Sequence, residues 1–431
     1  MRKLFYPDSV AVVGLSANAL NLAGLIAYNL KEWEYGGKVY GVNPRSGGEV
    51  HGAKIFPSLA DVPGPVDLVA VLAPARTIPE LLDQCVGKGV EYMVIETAGF
   101  SEFSEEGRAL GDEIRRKAGE YGIRFVGPNC VGIINAENGL SLPFTHIEPW
   151  EAGRVSVLSQ SGGVGLNTLM WLGEHNLASN KFVSMGNKYD LDEVDYLEYL
   201  IGDDGTDVIL LFLESLVRGR EFAEAAARSE KPIIVYKAGT TEAGLRRARS
   251  HTAALANDDD VLDAALRQAG VIRVDEIQKL AAYARMFSQP RMRGKRVAVI
   301  SQAGGYTVIT ADHAERAGFT FPALSKQTRK ELEKRLRAGV IRLSNPLDLG
   351  DAFDSDTMLL ATEKSLQDGR IDGVVVIQPR RPKKLYRGAF EVMMRNIVPE
   401  TEALVAKYGK PVVIGILGTP EVTTQCRGDS S

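Results

Sequence analysis

Cysteine is scarce: Cys85, Cys130 and Cys426 are the only three in 431 residues, and their spacing suits neither a disulfide framework nor a metal site. No metal is expected. No apolar run is long enough to span a bilayer, and Met1-Arg2-Lys3 leads to Asp8 rather than to a signal-peptide core. The expectation is a cytoplasmic protein with no membrane partner. Charge of either sign is not in excess, the net being −4 with a pI near 5.9, so there is no global pull toward nucleic acid, and none is expected as a partner. A glycine-rich loop ending in Gly-Lys-Ser or Gly-Lys-Thr is missing, which removes one route to nucleotide binding. Histidines number five, and His51, His146, His175 and His313 have surroundings that suit packing.

What the chain has is a repeat. VSVLSQSGGVGLNTLMWLGEHN at Val155–Asn176 returns as VAVISQAGGYTVITADHAERAG at Val297–Gly318. Each copy reads as an apolar strand, a turn with paired glycines, then a helix. The turns place Ser161, Gly162 and Gly163 in one copy, and Gly304 and Gly305 in the other, where helix-start N–H groups can face an anion. The echo continues from Asn187-Lys188-Tyr189-Asp190-Leu191 to Asn345-Pro346-Leu347-Asp348-Leu349, and from Lys231-Pro232 to Lys410-Pro411. Its offset grows from 142 (Ser159 to Ser301) to 158 (Asn187 to Asn345) to 179 (Pro232 to Pro411), so the second copy carries insertions, one of them the charged segment Gln327–Leu336. These are two related βαβ domains.

The first third alternates short β-branched runs with helical segments: Val10–Val13, Lys38–Val42, Asp67–Leu72, Tyr92–Ile95 and Ile123–Val126. That pattern predicts a doubly wound parallel sheet. With 45% hydrophobic residues the chain fills about three cores of ordinary size. The expected α/β division is a Rossmann-like domain over 1–135, then flavodoxin-like domains over 150–290 and 294–431, with Asn135–Gly153 and Pro290–Gly294 as linkers. The last domain is expected to lack its closing unit. After the first strand, Gly14-Leu15-Ser16 lacks the full dinucleotide fingerprint, and no acidic residue follows the second strand. That strand runs instead from Lys38 to Asn43-Pro44-Arg45, groups better suited to a phosphorylated nucleotide than to the ribose of NAD. An NAD-dependent dehydrogenase is therefore the weakest reading.

His251 follows the basic loop Arg246-Arg247-Ala248-Arg249 and precedes small apolar residues, so its imidazole can sit beside a phosphate as a nucleophile or serve as a cap. Glu214, after the strand Val208–Leu213, is either a solvated strand-end carboxylate or the partner of the histidine ring N–H. The second copy offers no Glu or His at these places: the 179-residue offset gives Met393 and Ser430, and strand alignment puts Pro379 opposite Glu214. Glu96 ends the strand Tyr92–Ile95, and is either solvated or part of a site. Gly127-Pro128-Asn129-Cys130-Val131-Gly132 suits a ligand-lining loop, with nothing nearby to lower the Cys130 pKa.

These motifs resemble, over nearly the whole chain, the nucleoside-diphosphate-forming acyl-CoA synthetases, relatives of succinyl-CoA synthetase. Tyr35–Pro44, Ala73-Pro74, Glu96–Phe100 and Gly127–Gly132 are similar to the family's CoA-binding domain, and Ser159–Gly163, Gly186-Asn187-Lys188 and Ser250–Ala256 to its phosphohistidine domain. Ser301–Gly305 and Asn345–Asp348 resemble its third domain. The resemblance implies that acyl-CoA and phosphate give an acyl phosphate, and that His251, stabilised by Glu214, carries the phosphoryl group to ADP or GDP. It implies phosphate ligation by Ser161, Gly162, Gly163, Gly304 and Gly305. It places Gly14, Ser16, Lys38, Asn43, Pro44, Ala73 and Pro74 on CoA, with Glu96, Asn129 and Cys130 toward the thioester end. No ATP-grasp module is visible, so an ATP-grasp β-type subunit holding ADP/ATP and Mg is the implied partner in a hetero-oligomer. A non-catalytic CoA-binding or regulatory protein of the same fold is the alternative.

Overall fold

A computed structural model describes residues 1–244, 246, 259–336, 343–350, 354–379 and 396–418. His251 and Cys426 lie outside them. The chain forms two compact units, Met1–Met286 and Phe287–Ser431.

The first unit holds two sheets. One contains β1 (Ser9–Val13), β2 (Lys38–Val42), β3 (Glu49–Val50), β4 (Ala53–Phe56), β5 (Leu68–Val71), β6 (Tyr92–Ile95) and β7 (Arg124–Val126), in the order β3-β4-β2-β1-β5-β6-β7. All neighbours run parallel except the β3–β4 pair. β1 and β5 are buried along their whole length, as parallel strands covered on both faces must be. The helix Glu105–Tyr121 shows how local sequence sets an element. Ser104 caps its start by accepting the N–H of Gly107 at 3.0 Å, and Gly122 stops it at φ +68°.

The other sheet contains β8 (Ile133–Asn135), β9 (Leu140–Ser141), β10 (Val155–Ser159), β11 (Ser179–Ser184), β12 (Val208–Leu213), β13 (Ile233–Lys237) and β14 (Ile272–Val274), ordered β14-β13-β12-β10-β11-β8-β9. The stretch read as the linker Asn135–Gly153 is thus partly strand: β8 joins β11 antiparallel and β9 joins β8. Apolar side chains of both sheets, among them Val94, Cys130, Leu158 and Tyr196, belong to one continuous core. The two domains of this unit are packed as one body for that reason.

The second unit carries β15 (Val297–Ser301), β16 (Leu347–Asp348), β17 (Gly373–Pro379) and β18 (Val412–Leu417), all parallel in the order β16-β15-β17-β18. This is the order β11-β10-β12-β13 again, so the sequence repeat is a repeat of topology. The charged insertion is a helix at Lys326–Glu333. No counterpart of β14 occurs among the described residues.

Lys181 on β11 is a buried cation. Its buried Nζ donates to Asn180 Oδ1 at 2.7 Å and Asp203 Oδ2 at 2.9 Å, with Glu137 Oε1 at 3.7 Å. Lys181→Met strands a nearly buried carboxylate, and is expected to cost about 3–5 kcal/mol in urea unfolding.

Candidate functional site

Three parallel strand ends set the first part of the site, since ligands of such sheets bind beyond the carboxyl edge. Gly14, after β1, has φ +97°, and a Cβ there would lie 2.2 Å from the Leu72 carbonyl oxygen, so only glycine lets the chain turn this close to β5. Asn21 holds the turn: its Nδ2 donates to Gly14 O at 3.0 Å and its Oδ1 accepts the Ser16 N–H at 3.1 Å. Asn43, after β2, donates to Leu15 O at 3.0 Å and accepts the Arg45 N–H at 2.9 Å. Thr97 Oγ1 donates to Ala73 O at 2.8 Å, which fixes Ala73-Pro74 beside them. Gly14, Ser16, Asn43, Pro44, Ala73 and Pro74 therefore share one edge.

Lys38 does not join them. It pairs with Ser9 at the start of β2, while Val42 pairs with Val13 at the other end. Four residues of strand, roughly 13 Å, separate Lys38 from this edge. Arg45, after β2, and Arg76, just beyond Pro74, are exposed cations at the carboxyl edge.

Glu96 and Cys130 form the deepest part. Glu96 is 3% exposed, so it is not a solvated carboxylate, and neither oxygen has a partner among the described residues. Burial pushes its pKa well above the usual carboxylate value. A Cβ on Gly132 would lie 2.6 Å from Glu96 Oε1, so the glycine makes the room this carboxyl occupies. Cys130 is buried too, its Sγ 3.4 Å from Ile95 O; burial, then the nearby Glu96, raises its pKa, so it is a thiol rather than a nucleophile.

The phosphate turn abuts this loop. Ser161 precedes the helix Gly162–Glu174 without a side-chain capping bond, and a Cβ on Gly162 would meet Val131 Cγ1 at 2.5 Å, while Gly163 faces open space. Gly163 in the first turn of that helix is exposed, at the end where the helix dipole is positive. Gln160 Oε1 accepts the N–H groups of Glu214 at 2.9 Å and Ser215 at 3.0 Å, which ties the end of β12 to the turn after β10. Lys188, buried with φ +53°, donates to Glu193 Oε2 at 2.7 Å and Ser215 O at 2.8 Å, bracing the same loop from beneath.

In the second unit, Gly304 and Gly305 open the helix Gly304–Arg316. A Cβ on Gly304 would lie 2.4 Å from Asp348 Oδ2, so a carboxylate already stands at that helix start. Register also settles the comparison of copies. Ser159 pairs with Phe212 and Ser301 with Ile377, so Glu214 corresponds to Pro379.

Sequence reading missed the supports. Gln160 and Lys188 lie in motifs that assign them no role, and Glu102 lies in none. The Ser-Gln pair shared by both turns was the available signal for Gln160.

The chain matches a model described as CoA binding domain over residues 8–136, and one described as succinyl-CoA ligase like flavodoxin domain over 152–287. It is 37% identical to acetate–CoA ligase [ADP-forming] II subunit alpha of Pyrococcus furiosus, over 86% of this chain and 81% of that one. It is 34% identical to acetate–CoA ligase [ADP-forming] II of Archaeoglobus fulgidus, over 98% of this chain but 62% of the relative. Among solved structures it is similar to the dinucleotide forming acetyl-coenzyme A synthetase 1 of Ca. Korarchaeum cryptofilum in complex with phosphate and ADP, with TM-score 0.88, 30% identity and coverage of 99% and 90%.

The buried acid gives a pH test. Because the folded pKa of Glu96 lies above its unfolded value, its contribution to stability is intact below about pH 4 and is lost as pH rises toward the folded pKa. Glu96→Gln is expected to flatten that fall, gaining on the order of 1–3 kcal/mol relative to wild type between pH 4 and pH 8 in urea unfolding.

Proposed function

The chain belongs to the family of ADP-forming acyl-CoA synthetases, acid–thiol ligases, as an α-type subunit, and we propose that it works through an acyl phosphate and a phosphohistidine at His251. Acyl-CoA, phosphate and ADP are interconverted with carboxylic acid, CoA and ATP. Gly14, Ser16, Asn43, Pro44, Ala73 and Pro74 receive the nucleotide end of CoA, with Arg45 in the place first expected for Lys38. Glu96, Asn129 and Cys130 line the thioester end.

The observation that supports this reading most is the contact of Gly162 with Val131. It sets the anion-binding helix start against the Asn129–Gly132 loop within one packed unit, so phosphate and thioester meet there. A phosphate oxygen bonds to the acyl carbon as the C–S bond breaks, and protonated Glu96 supplies the proton taken up by the departing sulfur. Ser161, Gly162 and Gly163 hold the phosphate by backbone N–H groups and the helix dipole. Gly304 and Gly305 give the second anion-binding turn.

Neutral His251 then attacks phosphorus and the carboxylate leaves; Glu214 accepts the ring N–H and stabilises the charge that develops. ADP and Mg sit on an ATP-grasp β-type subunit in a hetero-oligomer. The name of the Pyrococcus relative, a subunit alpha, supports a partner subunit.

Incubating the full chain with acetyl-CoA and radiolabelled phosphate is expected to give an acid-labile, base-stable label that His251→Ala abolishes. Label surviving in that variant rejects the assignment.

A further inference from the structure

Asn129 sits in the left-handed region at φ +58°, its backbone N–H donating to Thr97 O at 3.0 Å. Its Nδ2 donates to Asn187 Oδ1 at 3.2 Å, and Asn187 Nδ2 donates in turn to Glu102 Oε2 at 2.7 Å. The chain ends where Glu102 Oε1 accepts the N–H groups of Gly99 at 2.8 Å and Phe100 at 3.0 Å.

The two ends of a carboxamide have nearly the same shape and differ in whether they donate or accept. Here the far end decides. Burial would raise the Glu102 pKa, but the N–H groups of Phe100 and Gly99 and the amide of Asn187 outweigh it and hold the carboxyl below its usual range. An ionised carboxylate only accepts, so Asn187 must turn its NH₂ toward Glu102 and its oxygen toward Asn129. Asn129 must then spend its NH₂ on Asn187. Its Oδ1 remains, with no donor among the described residues.

We propose that Glu102 is a positioning residue that sets the polarity of Asn129, so that Asn129 Oδ1 accepts a hydrogen from the pantetheine arm of CoA, the thiol S–H or an amide N–H. This rests on the reading above that Asn129 lies at the thioester end. The relay joins the loop after β6 to the loop after β11, and its outermost atom is a selector for donors.

The test inverts the relay without changing its shape. In Glu102→Gln the oxygen stays on the two backbone N–H groups and an NH₂ faces Asn187, so both asparagines turn over and Asn129 presents NH₂ outward. Adding Asn187→Asp restores an acceptor on both sides of position 187 and returns Oδ1 outward. Calorimetry on the full chain is expected to show CoA binding about tenfold weaker in E102Q, and within about twofold of wild type in E102Q/N187D. Loss for CoA but not acetyl-CoA identifies the S–H as the donor; loss for both identifies an amide N–H. Wild-type affinity for both ligands in E102Q, or a double variant as weak as the single, overturns the proposal. A wild-type chain that binds neither ligand sinks the CoA reading itself, an outcome distinct from an unaltered E102Q.

Discussion

The site depends on one steric allowance: the loop Gly127–Gly132 is wedged against the second domain at points where a side chain cannot exist. Gly162 yields to Val131, and a Cβ on Gly186 would lie 2.3 Å from the Pro128 carbonyl oxygen. Because of these close approaches, the apolar side chains of both sheets merge into one core. Dispersion and burial over that shared interior hold the two half-sites in register far more firmly than the polar contacts at its rim.

Inside that packed body, polar groups do different work according to depth. Lys188 and Glu193 are paired in full burial and brace a loop. Glu96 has no partner among the described residues and burial raises its pKa, whereas Glu102 is met by backbone N–H groups that lower its own. Two glutamates six residues apart thus shift in opposite directions because only one is given donors.

Much of this was legible in the sequence. The alternating β-branched runs marked the strands of the first sheet, because a parallel sheet covered on both faces needs continuous apolar segments. The duplicated Ser-Gln-small-Gly-Gly turn marked two helix starts and the shared strand order. What was not legible depends on three-dimensional register. Lys38 and Asn43 belong to one strand, and only the direction of that strand sends them to opposite edges of the sheet. Ile133–Asn135 and Leu140–Ser141 are too short to announce themselves, and their pairing is decided by an edge that the rest of the second sheet provides. The burial of Glu96 follows from a glycine 36 positions away, a separation that no local pattern spans.

Gln160 has a mechanical consequence. By accepting the N–H groups of both Glu214 and Ser215, one amide oxygen clamps the glycine turn after β10 to the carboxylate-bearing end of the neighbouring strand. Those two pieces travel together as a rigid jaw. The separation between that turn and that strand end is therefore fixed by a side chain and does not depend on the loops that follow either strand.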